Sequence, residues 1–99
     1  MATDGITYEP KVNYTEMVEA DQLLVIDIAT NALKTQEKSE KPIYHKDVAQ
    51  IIKQQLDTAK GGTWNVIVGV SFGSFVTHET KTIIHFFIGS VAFLIWRHG

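Results

Sequence analysis

The sequence predicts an α+β fold in which two helices pack on an antiparallel sheet, and three observations carry that expectation. Apolar residues recur at helical spacing in two stretches before residue 60. The vocabulary then changes at Gly61-Gly62 to Val, Ile, Phe, Thr and Trp, and Gly89-Ser90 separates two apolar runs as a two-residue hairpin turn does. At 99 residues and 11.1 kDa the chain is one domain over residues 1–99.

Each element has its own reason. Residues 1–18 carry little apolar signal, and only 11–14, after Pro10, read as a short strand with Val12 and Tyr14 as its apolar positions. Between Leu23 and Leu33 eight of eleven residues are apolar. Such a helix is apolar around most of its cylinder and is expected to be covered on two sides. Residues 34–41 (KTQEKSEK) are polar and precede Pro42, so they read as an extended, exposed connection between the helices. Val48, Ile51, Ile52, Leu56 and Ala59 then mark an amphipathic helix over 45–60, ended by Gly61-Gly62. Beyond it four strands are expected, at 63–70, 72–77, 82–88 and 91–97. The last two are apolar on both faces. One pair of helices covers only one face of a sheet, so a second copy of the chain is the simplest cover for the other.

Charge narrows the function. Nine basic against eleven acidic residues give a net charge of −2 and a pI near 6.0, without the basic footprint of a nucleic-acid binder. Residues 1–60 hold seven Lys and ten acidic residues, whereas 61–99 hold only Lys81, Arg97 and Glu79. No Cys is present, which excludes disulfides and Cys-based metal centres, and the start MATDGITYEPK lacks an apolar leader, so the expected setting is intracellular. The apolar run 83–96 is shorter than the roughly 20 residues of a spanning helix and is broken by Gly89-Ser90.

Gly69-Val70-Ser71-Phe72-Gly73 fits the G-x-S-x-G of a serine hydrolase elbow. That elbow needs a helix after the Ser, and a strand is expected here, so a Gly-permitted bend is the better reading. His45, His78, His85 and His98 form no recognised metal motif, and Asn13-Tyr14-Thr15 is a glycosylation sequon with meaning only in a secreted chain. The remaining candidate is the segment 72–77. It follows a Gly bend, precedes the polar cluster His78-Glu79-Thr80-Lys81, and contains neither the charge nor the Pro that usually blunts an exposed strand edge. Two uses stay open for it: pairing with a partner's backbone, or an ordinary internal strand.

Thr63-Trp64, Ile67-Val68-Gly69, Phe72-Gly73-Ser74, Val76-Thr77-His78-Glu79-Thr80-Lys81, Gly89, Val91-Ala92 and Leu94 together resemble the eight-kilodalton dynein light chain family. The similarity runs without a gap from about Tyr44 to Gly99, and Ala29-Thr30 with Ala32-Leu33 continues it into the first helix. The resemblance implies a noncatalytic, cofactor-free, strand-exchanged homodimer in which 72–77 crosses to the partner's sheet. Such a dimer is a hub that takes extended segments of dynein intermediate chains or other disordered clients as an added strand, with a client Gln capping the second helix. Carried over by position, the groove strand is Phe72, Gly73, Ser74, Phe75, Val76, Thr77 and His78. Its floor is Ile83, His85, Phe87, Ala92 and Leu94, and the helix end supplies His45 and Lys46. Asn65, Phe72 and Val76 fall at the dimer seam.

The resemblance also implies a cytoplasmic, cytoskeletal setting. Its alternative is a ciliary outer-arm dynein subunit that pairs with a related light chain. Departures from the family pattern are concentrated in the groove. Tyr is usual where this chain has Phe75, His85 and Phe87, Asn at Ser71, Arg at Val70, Glu at His45, and His at Asn65. The groove is expected to persist with altered client preference.

Overall fold

The computed structural model describes residues 8–39 and 44–99. Its elements run β1 (Pro10–Thr15), α1 (Glu19–Lys38), α2 (His45–Ala59), β2 (Trp64–Gly69), β3 (Ile84–Ile88) and β4 (Val91–Arg97). The strands form one sheet in the order β1-β3-β4-β2, antiparallel at every step. This is the expected α+β architecture.

Both helices lie on one face. α1 buries Val25, Ile28, Ala29, Ala32 and Leu33, and α2 buries Val48, Ile52 and Leu56, two stripes at helical spacing. They meet Trp64, Ile84, Phe86, Ile88, Phe93 and Ile95 from the sheet, where Phe86 and Phe93 stack with centroids 5.0 Å apart. Because strand side chains alternate, this core uses every second residue and leaves the others for the opposite face.

α1 differs from expectation in two ways. It continues five residues past Leu33, to Lys38, because Lys, Gln and Glu are good helix formers and nothing before Pro42 stops them. Lys38 also sits favourably in the last turn, where Ser39 donates through its backbone N–H and its Oγ to the Gln36 carbonyl. Residues 40–41 of the expected connection lie outside the described residues. Nor is α1 covered on two sides within one chain. Leu23 is 63% exposed, and burial follows a single stripe.

A polar clasp joins α2 to the sheet. Asp57 accepts the Trp64 backbone N–H at 2.9 Å and the Lys53 ammonium at 2.8 Å, and Lys53 also donates to the Trp64 carbonyl. The Lys53 hydrogen bond first, then the Trp64 amide, hold the Asp57 carboxyl below its ordinary range. Lys60 closes the other side of the helix pair on Asp21 at 2.6 Å. Gly61 and Gly62 follow with φ of +74° and +83°, the left-handed conformation that glycine adopts without steric cost.

The hairpin reads as expected. Ile88 pairs with Val91 across Gly89-Ser90, and Gly89 has φ +60° while Ser90 does not take a positive φ, the pattern of a turn with glycine first. β1 covers the expected strand and one residue more at each end, and a bulge between Val12 and Tyr14 shifts its register against β3.

The largest departure is residues 72–77. They form no strand and pair with no other strand among the described residues. The segment leaves β2 through a bend at Val70-Ser71 and next meets the sheet at Glu79, whose N–H donates to the Arg97 carbonyl.

Candidate functional site

The candidate site residues of β3 and β4 lie on the face of the sheet opposite the helices. Ile83, His85 and Phe87 alternate with the core residues of β3, and register sets His85 across from Leu94 and Phe87 across from Ala92. The five floor residues inferred from the sequence therefore stand together. Phe72 folds back over them, its ring centroid 5.8 Å from that of His85, which is 5.4 Å from that of Phe87 on its other side.

The segment 72–77 hangs at the margin of this face. Phe72 and Val76 are half-buried, Gly73, Ser74 and Thr77 are exposed, and Phe75 is fully exposed at 103%. Its base is held firmly. Glu79 pairs with the Arg97 guanidinium at 2.9 Å, that guanidinium lies over the Trp64 ring at 5.9 Å, and the Thr82 hydroxyl donates to the Glu79 carbonyl at 2.6 Å. Lys81 completes the turn with φ +62°, an uncommon conformation for a residue with a side chain.

His78 turns to this base rather than to the open groove. Its Nδ1 is 2.9 Å from the Glu79 carbonyl, and its Nε2 is 3.8 Å from Glu16. The Tyr14 hydroxyl donates to Glu16 at 2.8 Å. That hydrogen bond raises the Tyr14 hydroxyl above its ordinary range and, with the Lys81 amide and His78 adding to it, holds the Glu16 carboxyl below its own.

His45 and Lys46 stand apart. They open α2 on the helix side of the sheet and make no hydrogen bond to residues 72–78 within the chain. Of the seam residues, Asn65 lies across from Trp96 at the far end of β2, with a 3.5 Å contact to the His98 carbonyl, away from Phe72.

Three features escaped the sequence reading. The anchor Glu79–Arg97–Trp64 joins residues far apart in the chain and has no local signature. The second is the pairing of β1 with β3, which sets Lys11 opposite Phe87 and brings Asn13 Nδ2 to 2.9 Å from His85 Nδ1. A hint was present in the alternation Glu9, Lys11, Asn13. The third is an open cleft of about 720 Å³ beside Phe87, lined by Glu9, Pro10, Lys11, Asn13, Phe87 and Gly89.

The G-x-S-x-G reading lacks its structural context. Ser71 sits in a bend followed by irregular chain, not by a helix, and its hydroxyl has no hydrogen-bonded base among the described residues. No cluster of three or more His, Cys, Asp or Glu is placed to hold a metal among the described residues, and no described helix is long and apolar enough to cross a membrane.

Two helices on one face of a four-stranded antiparallel sheet, with an unpaired segment between β2 and β3 and an open second face, define a dynein light chain-like domain. The fold matches that domain of the calcium binding protein FhCaBP2 of Fasciola hepatica with a TM-score of 0.80, covering 97% of this chain and 95% of that one at 24% identity. Residues 9–98 match the family described as dynein light chain type 1. The chain belongs to the dynein light chain family. It is 42% identical over 89 residues to "Dynein light chain, cytoplasmic" of Emericella nidulans, covering 90% of this chain and 88% of the relative. It is also 37% identical over 91 residues to "Dynein light chain 1, cytoplasmic" of Debaryomyces hansenii, covering 92% and 93%.

Proposed function

We propose that this dynein light chain is a noncatalytic, strand-exchanged homodimer that binds extended segments of dynein intermediate chains or other disordered clients by β-strand addition. One observation carries the reading: the chain exposes two complementary stretches of unpaired backbone. Among the described residues, β2 ends the sheet with nothing beyond it, and residues 72–77 have no strand partner while presenting a fully exposed Phe75. Free edges of this kind pair with other chains unless they are blunted, and 72–77 carry no charge and no Pro.

Exchange satisfies both stretches. Residues 72–77 of each protomer lie along β2 of the other, and the outer edge of the same segment is left for a client strand. Backbone pairing then supplies affinity, and the pockets formed by Ile83, His85, Phe87, Ala92 and Leu94 supply selectivity. His45 and Lys46 reach the groove only from the partner's α2, in keeping with their separation from 72–78 in a single chain. The cytoplasmic relatives support a cytoplasmic, cytoskeletal setting.

Light scattering during gel filtration at micromolar concentration tests the dimer, with twice 11.1 kDa expected. Calorimetry with an extended peptide carrying an internal Gln then tests the groove. Two equivalent sites per dimer and a negative heat-capacity change are expected. A monodisperse monomer, or a dimer that takes no such peptide, overturns the reading.

A further inference from the structure

His85 is held in a way that gives the groove a directed donor. The Asn13 amide nitrogen bonded to His85 Nδ1 at 2.9 Å can only donate, so Nδ1 accepts and the ring proton of the neutral imidazole lies on Nε2. Phe72 and Phe87 flank the ring at 5.8 and 5.4 Å, which restricts its rotation, and Nε2 makes no hydrogen bond to any described residue. A half-buried donor without a partner is costly to cover with apolar surface, and the cost is relieved by an acceptor on whatever covers it.

The charges around the ring favour an anionic acceptor. From β1, Lys11 stands across from Phe87 and next to Asn13, with Glu9 beyond it at the outer end of the cleft. Tyr14 is opposite His85 but commits its hydroxyl to Glu16. β4 faces the ring with Leu94 and Ala92, and the segment after β2 with Phe72, none of them charged. Of the two charged residues lining the cleft, Lys11 is the one whose register partner, Phe87, packs against the His85 ring.

We infer that His85, oriented by Asn13, is a specificity-determining residue of the groove, its Nε2–H selecting clients that place an Asp or Glu side chain over the open face of β3. This rests on the reading that the face is a client groove. A hydrogen bond to a carboxylate is about twice as strong as one to a neutral acceptor. An acidic residue at that point should therefore bind roughly fivefold tighter than its amide.

The test uses the whole chain and a set of Gln-containing extended peptides in which one Asp, or one Asn, is moved along the sequence. Affinities are measured for every peptide at one neutral pH. One register at which Asp exceeds Asn about fivefold supports the inference. His85→Tyr should bring the ratio of Asp-peptide to Asn-peptide affinity to about one, and Asn13→Ala should reduce it, whatever either change does to the affinities themselves. Equal binding of Asp and Asn peptides at every register overturns the inference and leaves the groove standing. Failure of every peptide to bind removes the groove itself. If His85→Tyr changes only the sedimentation of the dimer, the residue belongs to the seam and the inference is also wrong.

Discussion

Gly61 and Gly62 offer a matched pair in which one substitution tests the anchor beneath residues 72–77 and the other controls for backbone strain. Both have positive φ, so Ala at either position meets the same conformational penalty, about 1 kcal/mol. Their surroundings differ. A Cβ on Gly61 meets nothing within 4 Å, whereas one on Gly62 falls 2.5 Å from Arg97 Cδ. That atom lies in the middle of the side chain, so Arg97 must leave its place. Moving it gives up a half-exposed ion pair with Glu79 and the contact over Trp64, each worth up to about 1 kcal/mol. Gly61→Ala should thus cost about 1 kcal/mol and Gly62→Ala about 2 to 3. In a domain of this size that corresponds to melting shifts near 5 °C and 12 °C. Thermal unfolding of both variants at one protein concentration measures the difference, because dimer stability depends on concentration. Peptide titration should show client affinity falling with Gly62→Ala and holding with Gly61→Ala. Equal melting of the two variants would refute the steric argument, and unchanged client binding in Gly62→Ala would refute the anchor.

Further outcomes follow from the same contacts. Thr77→Pro removes a backbone donor from the segment proposed to exchange, and should shift the species in light scattering toward 11.1 kDa or abolish peptide binding. Asp57 has a depressed carboxyl, so its contribution to stability is present above the unfolded-state value, about 3.9, and is lost as pH falls through the lower folded value. Asp57→Asn should therefore be less stable than wild type at neutral pH, with the two unfolding midpoints converging in strong acid. A gap that persists there would point to packing and not charge. Asn65→His introduces a titrating group at the proposed seam, and sedimentation across about pH 5 to 7.5 should show that dimer dissociating at higher pH than wild type. If the two dissociate together, Asn65 is not at the seam.

Most of the scaffold was legible because its signals are local. The hairpin was set by Gly89-Ser90, β4 was bounded as read, and the stripes Val48, Ile52, Leu56 and Val25, Ile28, Ala29, Ala32, Leu33 became core. Where reading and structure part, a competing local preference won. Residues 34–38 look like loop by charge but are helical by propensity, and Leu23 looks like core by composition but lies off the stripe. That the proposed floor residues share one face was legible through alternation along β3 and β4. Asn13 was not, because 72 residues separate it from His85 and the bulge at Val12/Tyr14 decides which β1 residue meets that ring.

Residues 72–77 were legible in character and not in place, and the reason bears on how the protein works. Strand propensity describes what a segment pairs with when a neighbour is available, and within one chain this segment has none. Under the proposed exchange the neighbour is the partner's β2, so the groove strand becomes ordered only when two chains meet. A client added to its outer edge then binds the dimer and not the separated chain. Linkage makes the converse hold: whatever binds only the dimer stabilises it, by an amount set by its concentration relative to its dissociation constant. The fixed base at Glu79 and Arg97 contributes to both, since it limits the arc through which 72–77 can leave the sheet before either partner is present. On that proposal dimerisation and client capture are two readings of one ordering step, and selectivity is expected of the few side chains beneath that strand.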